Sequence, residues 1–422
     1  MKRLLPVLLL LGLFSNTISA QLDAFDLSDF VLPDVRLDRL ELSGRLNGGK
    51  NNSGVSTTNA FNSALDLSYY RFENSALLQY ESNGRLYYLQ NFRHTTSFYP
   101  QQKNTYNTGR LGTSIRAITR FYYRPKRFIA SGLRVSGYYQ NNHNSNGYSS
   151  VASDALNCKM TAPLQYGIGR VEPITNAWKA LRILRGFERF GLLSHTPSHD
   201  EIMELAQTLA KENYKRVFDS RLGLMRRIKA IDGYLNEKGL INDPGSAYFT
   251  LLYDSYLYGT QAIRYSGSRL VFEVASIINF ARSQSGNRST IYGASGGISY
   301  EQYKAMNQHW QLDYHAGVNA AVFINETNFY PLFNAGIKVG YYPNSRTSFV
   351  ADISYQGNQT PGTSFEQTIT LLMNAEYYIS PRTSISLFLN VNANDSPLPA
   401  AFGLENPLNV FQYGANLHHA FF

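Results

Sequence analysis

A single cysteine, Cys158, in 422 residues excludes an intramolecular disulfide framework and any cysteine-built metal centre. Charge is scarce as well: 16% of the residues are charged, where ordinary globular domains carry roughly 25%. A chain so poor in charge that also holds 31 Tyr, 25 Phe and 32 Gly does not have the composition of a disordered protein. After Gln21 there is no uncharged apolar run near the roughly 20 residues that a membrane-spanning helix requires. Neither an H-E-x-x-H string nor a Walker loop occurs. What is left must be read from periodicity.

The first twenty residues carry the order of an export signal: basic Lys2 and Arg3, apolar Leu4 to Phe14, then Ile18-Ser19-Ala20 before a cleavage point at Gln21. Its apolar run is too short to span a bilayer, and no cysteine follows it to carry a lipid anchor. Losing Lys2 and Arg3 lowers the net charge of +9 to +7, which suits anionic lipopolysaccharide or anionic solutes alike.

Beyond the signal the dominant pattern is period two. Ile385, Leu387, Leu389 and Val391 alternate with Ser384, Ser386, Phe388, Asn390 and Asn392, a face that is polar but for Phe388. Trp310, Leu312, Tyr314, Ala316, Val318, Ala320 and Val322 alternate with Gln311, Asp313, His315 and Asn319. Strands are expected near 36–47, 61–72, 82–96, 109–124, 127–140, 157–168, 268–283, 289–303, 309–323, 328–342, 346–357, 365–379, 383–393 and 409–422. The count is fourteen, an even number. Short Pro-bearing connections such as Pro125-Lys126 and Pro343-Asn344-Ser345 fall at one end. The Asn-, Gly- and Ser-rich segments 48–60, 97–108, 141–156, 358–364 and 394–408 fall at the other, as longer outer loops.

The signal, the paired alternating strands, the Pro-containing turns and the last strand ending Leu417-His418-His419-Ala420-Phe421-Phe422 together resemble the bacterial outer-membrane β-barrels. The resemblance implies an all-β transmembrane antiparallel barrel of about 14 strands in the outer membrane, with lipid and lipopolysaccharide around it. It also implies that Phe421 and Phe422 serve as the signal read by the barrel-assembly machinery, although Phe421 and not Phe422 shares phase with Phe411 and Tyr413. No cofactor, metal or nucleic acid is expected.

The expected layout is a signal at 1–20, an N-terminal periplasmic segment at 21–35, strands one to six at 36–169, an insert at 170–262 and strands seven to fourteen at 263–422. The insert changes period. Trp178, Leu181, Ile183, Leu184 and Phe187 recur at helical spacing, and Ser198-His199-Asp200-Glu201 is a capping box opening a second helix. Third and fourth helices are expected from Val217 to Lys238, stopped by Gly239, and from Ala247 to Tyr258. This α-helical segment joins strands six and seven, so it lies on the periplasmic side or inside the lumen. It is basic, and Arg182, Arg185, Arg189, Arg226 and Arg227 form a candidate docking surface for a periplasmic partner, the alternative being a solvated helix face.

Alternation turns Arg39, Arg45, Arg116, Arg120 and Arg134 inward on early strands, and Glu273, Asp313, Asp352, Glu366 and Glu376 inward on later ones. In a fourteen-stranded barrel these sets oppose each other, giving a transverse field across a water-filled passage for small polar solutes; the alternative is that the charges pair and close it. One further string, His143-Asn144-Ser145-Asn146-Gly147 with Asn157 beyond it, resembles the active site of outer-membrane phospholipase A. That resemblance implies Ser145 as nucleophile, His143 as base and Asn157 as its orienter. Tyr148 replaces the basic residue expected there, and alternation places the string in a loop, so a non-enzymatic pore or transporter is favoured. An export or assembly component docking through the insert is the alternative, a phospholipase-like hydrolase the second.

Overall fold

The computed structural model describes Leu22 and residues 25–419, apart from 54, 99–100, 147, 216–219, 243, 259–262, 283–286, 325–327, 360–364, 381–382 and 396–409. The export signal and the terminal Phe421 and Phe422 therefore lie outside the described residues.

Fourteen strands form one antiparallel sheet in chain order: β1 (Val35–Asn52), β2 (Ser56–Asn74), β3 (Leu78–Phe98), β4 (Gln101–Arg124), β5 (Arg127–Ser145), β6 (Ser150–Pro173), β7 (Tyr265–Arg282), β8 (Arg288–Ala305), β9 (Trp310–Phe323), β10 (Phe329–Tyr341), β11 (Thr347–Gln359), β12 (Phe365–Ser380), β13 (Thr383–Asp395) and β14 (Val410–His419). Among the described residues β14 pairs with β13, and no pairing with β1 is seen. Leu46, Val274 and Ile353 are 74%, 62% and 55% exposed, and large apolar side chains in the same phase line the whole outer face. Surface of that kind is stable against lipid, not water. The architecture is that of a transmembrane antiparallel β-barrel with helices inserted mid-chain.

The sheet curls around the opposite phase. Ile118, Tyr122, Phe128, Ala130 and Val271, contributed by β4, β5 and β7, pack into one buried cluster on the inner face. Gln79 on β3 donates to the carbonyl of Val171 on β6 at 3.1 Å. These contacts skip intervening strands, which only a strongly concave face allows.

Three of the expected outer loops are strand instead. β1 and β2 are separated only by residues 53–55, β3 and β4 by 99–100, and β5 and β6 by 146–149. Asn and Gly have low strand preference, but that preference spans only about 1 kcal/mol. A ladder already registered by the apolar residues below satisfies each further N–H and C=O, so pairing zips on through the polar stretch. β4 and β6 thus reach 24 residues each, about twice what a bilayer needs.

Between β6 and β7 stand four helices: α1 (Thr175–Arg189), α2 (His199–Tyr214), α3 (Ser220–Glu237) and α4 (Ser246–Tyr258). The Ser198/Glu201 capping box is complete, and Gly239, at φ +61°, ends α3. Leu184, Leu205, Leu209, Ile231, Leu235 and Leu252 make a core with no exposure at all. Leu22, Phe25, Leu27, Phe30 and Leu32, from the segment before β1, belong to the same core. At the neck of the insert Gly169 and Gly267 have φ +106° and +108°, and an added Cβ on either would sit 2.1 Å from a carbonyl oxygen of the facing strand. Only glycine permits so tight a crossing there.

Candidate functional site: the inner wall and its covered mouth

Strand register places the inner side chains in rows. Across β1 to β5 one row reads Arg45, Ala64, Leu89, Arg110, Gln140; the next Ser43, Asp66, Tyr87, Gly112, Tyr138; the next Glu41, Ser68, Arg85, Ser114, Ser136; and then Arg39, Tyr70, Asn83, Arg116, Arg134. Arg39, Arg45, Arg116, Arg120 and Arg134 all fall on this face. So do Arg85 and Arg93, which sequence reading missed because Tyr87, Tyr88 and Leu89 in succession hide the phase of β3, and Arg110, which shares the phase of Arg116 and Arg120 on β4. Eight arginines thus line β1–β5 beyond the turns, against Glu41, Asp66 and Glu81.

The far wall has the opposite sign. Glu273, Asp313, Asp352, Glu366 and Glu376 share the inner phase, joined by Glu301, with Arg269 and Lys338 as the cations among them. Lys338 stands between Asp313 and Asp352 in one row. Glu366 accepts from Asn358 Nδ2 at 3.2 Å.

Two members of the expected opposing sets are neighbours instead. Arg134 and Glu273 meet in a bidentate pair of 3.0 and 2.8 Å, with Gln165 Nε2 donating to the same carboxylate. β5 and β7 flank the single strand β6, and the concave wall brings their long side chains together above it. Arg39 pairs along its own strand with Glu41 at 3.1 Å. Arg120 is buried, with Nη1 3.5 Å from Gln79 Oε1. Arg45 and Arg116 have no ion pair among the described residues.

At the end of the barrel where the short turns lie, the insert covers the mouth. Trp178 Nε1 donates to the carbonyl of Gln308 in the β8–β9 turn at 2.7 Å. The guanidinium groups of Arg182 and Arg264 lie 5.1 and 5.5 Å from its ring centroid, and the ring is edge-on to Tyr342 in the β10–β11 turn. Arg264 is wholly buried, donating to the carbonyls of Asn307, Gln308 and Trp310 at 2.7–2.8 Å and to Gln311 Oε1 at 3.2 Å. Burial pulls the guanidinium groups of Arg182 and Arg264 down to about 10, which leaves both charged at neutral pH. On the far side α2 packs on β1, with Tyr214 6.4 Å from Phe72, and Arg346 pairs with Asp254 of α4. The first turn after residue 26, a single 3-10 turn at Leu27–Asp29, lies against β7 and β8.

This changes the reading of the basic insert. Arg182 is spent on the rim, donating to the carbonyls of Tyr342 and Pro343, so it is not part of a docking surface. Arg226 and Arg227 turn to Glu212 within the insert, Arg185 is half-buried, and Arg189 is exposed. His309 sits in the β8–β9 turn bonded to the Tyr342 carbonyl, and burial lowers its pKa.

The phospholipase-like string is not assembled. His143 and Ser145 end β5 on its outer phase, in strand and not in a loop, whereas Asn157 on β6 pairs with Tyr138 on the inner phase. The base and its orienter lie on opposite faces and five residues, about 17 Å, apart along the strands. Asn146 instead closes the β5–β6 hairpin, accepting from the amides of Tyr148 and Ser149. Gly293-Ala294-Ser295-Gly296-Gly297 matches G-x-S-x-G but runs straight through β8, without the strand-to-helix turn that exposes such a serine. No cluster of metal-ligating side chains occurs among the described residues.

No family model and no curated protein matches the chain. Among solved structures it is similar to the β domain of the Bordetella autotransporter BrkA, at 11% identity over 78% of this chain and 93% of that one, with TM-score 0.29. The ferric yersiniabactin uptake receptor FyuA of Yersinia pestis is 8% identical over 90% of this chain and 53% of that one, with TM-score 0.38. The outer membrane protein OprD of Pseudomonas aeruginosa is 6% identical over 93% and 98%, with TM-score 0.25. The fold stands on the ladder and its apolar outer face, not on these likenesses.

Proposed function

We propose that this chain is a bacterial outer-membrane barrel that passes small polar solutes through a charge-segregated lumen, with the helical insert covering its periplasmic mouth. The observation that carries this reading is the division of the inner wall, arginine-rich on β1–β5 and carboxylate-rich on β7–β12. A barrel serving only as a membrane anchor has no use for unpaired inner arginines. In a narrow aqueous passage with low-dielectric walls such charges orient a solute's dipole and set ion preference. The Arg134–Glu273 pair narrows the field to the rows that stay unpaired.

Planar-bilayer recording of the purified protein tests this. Conductance is expected, with Arg116→Gln lowering the anion-to-cation permeability ratio. Bilayers that stay silent both with this protein and with a variant whose insert has been loosened at Trp178 would overturn the pore reading.

A further inference from the structure

Three arginines of the inner wall open onto one cavity of about 570 Å³ between β1 and β4. Arg45 on β1 and Arg110 on β4 share one row, three strands apart, and Arg85 lies two rows below them. Asp66 is the only carboxylate lining it, and Arg85 Nε donates to Asp66 at 2.6 Å. That leaves the charge of Arg45 and Arg110 uncompensated among the described residues. Arg110 is held over the ring of Tyr138 at 4.1 Å, which fixes its guanidinium without neutralising it.

Apart from Ser43 and the phenol oxygen of Tyr87, the rest of the lining is apolar. Tyr87 lies flat across β4 because position 112 is glycine; a Cβ there would stand 2.2 Å from the ring. Together with Leu89 and Ala64 the ring gives the cavity a greasy floor beneath its cationic rim. Inorganic phosphate would use the rim and leave the floor unused. A neutral apolar solute would use the floor and leave two guanidinium groups unanswered.

We propose that this cavity is a binding site for a small organic carboxylate with an apolar body, its carboxylate held by Arg45 and Arg110 and its body laid on Tyr87 and Leu89. This rests on the solute-passing reading above for its physiological meaning and names the class of solute. Asp66, paired with Arg85 in the lining of the same cavity, repels an incoming carboxylate and keeps the site weak enough to release what it binds.

Calorimetry on the purified protein in neutral-detergent micelles, with hexanoate, hexanamide and inorganic phosphate as probes, decides it. Hexanoate is expected to bind, hexanamide not, and phosphate more weakly. A charge-assisted contact is worth enough that Arg45→Gln or Arg110→Gln should each weaken hexanoate about ten-fold or more. Leu89→Ser should weaken hexanoate and leave phosphate unchanged. Asp66→Asn should tighten hexanoate binding, a gain that misfolding does not produce. Equal affinity for hexanoate and phosphate, indifference to both arginine substitutions, or looser binding in Asp66→Asn would overturn the proposal. Binding in micelles requires no conductance, so a silent bilayer would remove the pore reading and leave the site standing.

Discussion

The sheet and the insert bury opposite kinds of side chain. In the sheet most large aliphatic residues point away from the molecule and the arginines and carboxylates of the inner rows point in; in the insert the leucines are central and most charges peripheral. The same amino acids thus obey one rule, that apolar surface leaves water, in two solvents. The two regions meet in a seam that belongs to neither pattern, where Trp178, Arg264 and Tyr342 are buried together beside a partly buried Arg182. Breaking that seam should have the largest effect. Trp178→Ala removes the ring that both guanidinium groups cover and the hydrogen bond to the Gln308 carbonyl, a loss of about 3–5 kcal/mol. Hydrogen exchange should speed up throughout α1–α4 while the strands stay protected, and bilayer conductance should rise. Uniform exchange in both regions would mean that they are one cooperative unit.

That seam was also what the sequence revealed least. Period-two alternation located all fourteen strands, because each outward apolar residue is specified by lipid alone and needs no partner. Local signals located the helices for the same reason: a capping box at Ser198 and a glycine at 239 act within one turn of chain. Arg264 lies 86 residues after Trp178, and nothing nearby marks it as a bridge. Arg182, on an otherwise plausible docking face, is distinguished from Arg189 only by which turn of the barrel happens to lie above it. The pairing of Arg134 with Glu273 was hidden likewise, since alternation gives a side chain's face but not the curvature that decides which neighbours on that face can touch. Polar hairpin ends misled in the reverse direction, their composition reading as loop where an existing ladder extends them as strand.

The second comparison to press is between the two solvents. Ile353 is 55% exposed midway along β11, in phase with Phe349 and Tyr355. Ile353→Arg should cost about 2–4 kcal/mol in lipid bilayers, as a charge on a lipid-facing strand does at the midplane. The matching change on the inner face, Ser354→Arg, should cost little of that, because its head stays in the aqueous lumen. Folding titrations of the two variants in lipid vesicles check the contrast, and equal costs would mean that the outer face does not meet lipid.

The smallest effect concerns a charge that breaks the insert's own rule. Lys179 is fully buried in α1, and its Nζ has no hydrogen-bond partner, lying 3.7 Å over the ring of Tyr256 on α4. Tyr256 donates to Asn213 of α2, which in turn donates to Asn176 of α1, and the charge that acts on Lys179 is that of Arg227 on α3. Burial holds its ammonium well below the usual lysine range, and the nearby Arg227 charge pushes the same way. The unfolded chain therefore binds the extra proton more readily than the folded one. The resulting penalty is absent above the ordinary lysine pKa, grows as pH falls below it, and levels off once pH passes below the depressed folded value. Lys179→Met keeps the methylene volume and removes the unsatisfied donor, so it should stabilise the insert by about 1–3 kcal/mol at neutral pH. Near pH 10.5 the gap should have nearly closed, because the amine is then neutral in the folded state and half neutral in the unfolded one. Thermal melts of the insert across that range, followed by the fluorescence of Trp178 at the seam, measure the difference. A gap that stays constant with pH would show that Lys179 acts through packing and not through its proton.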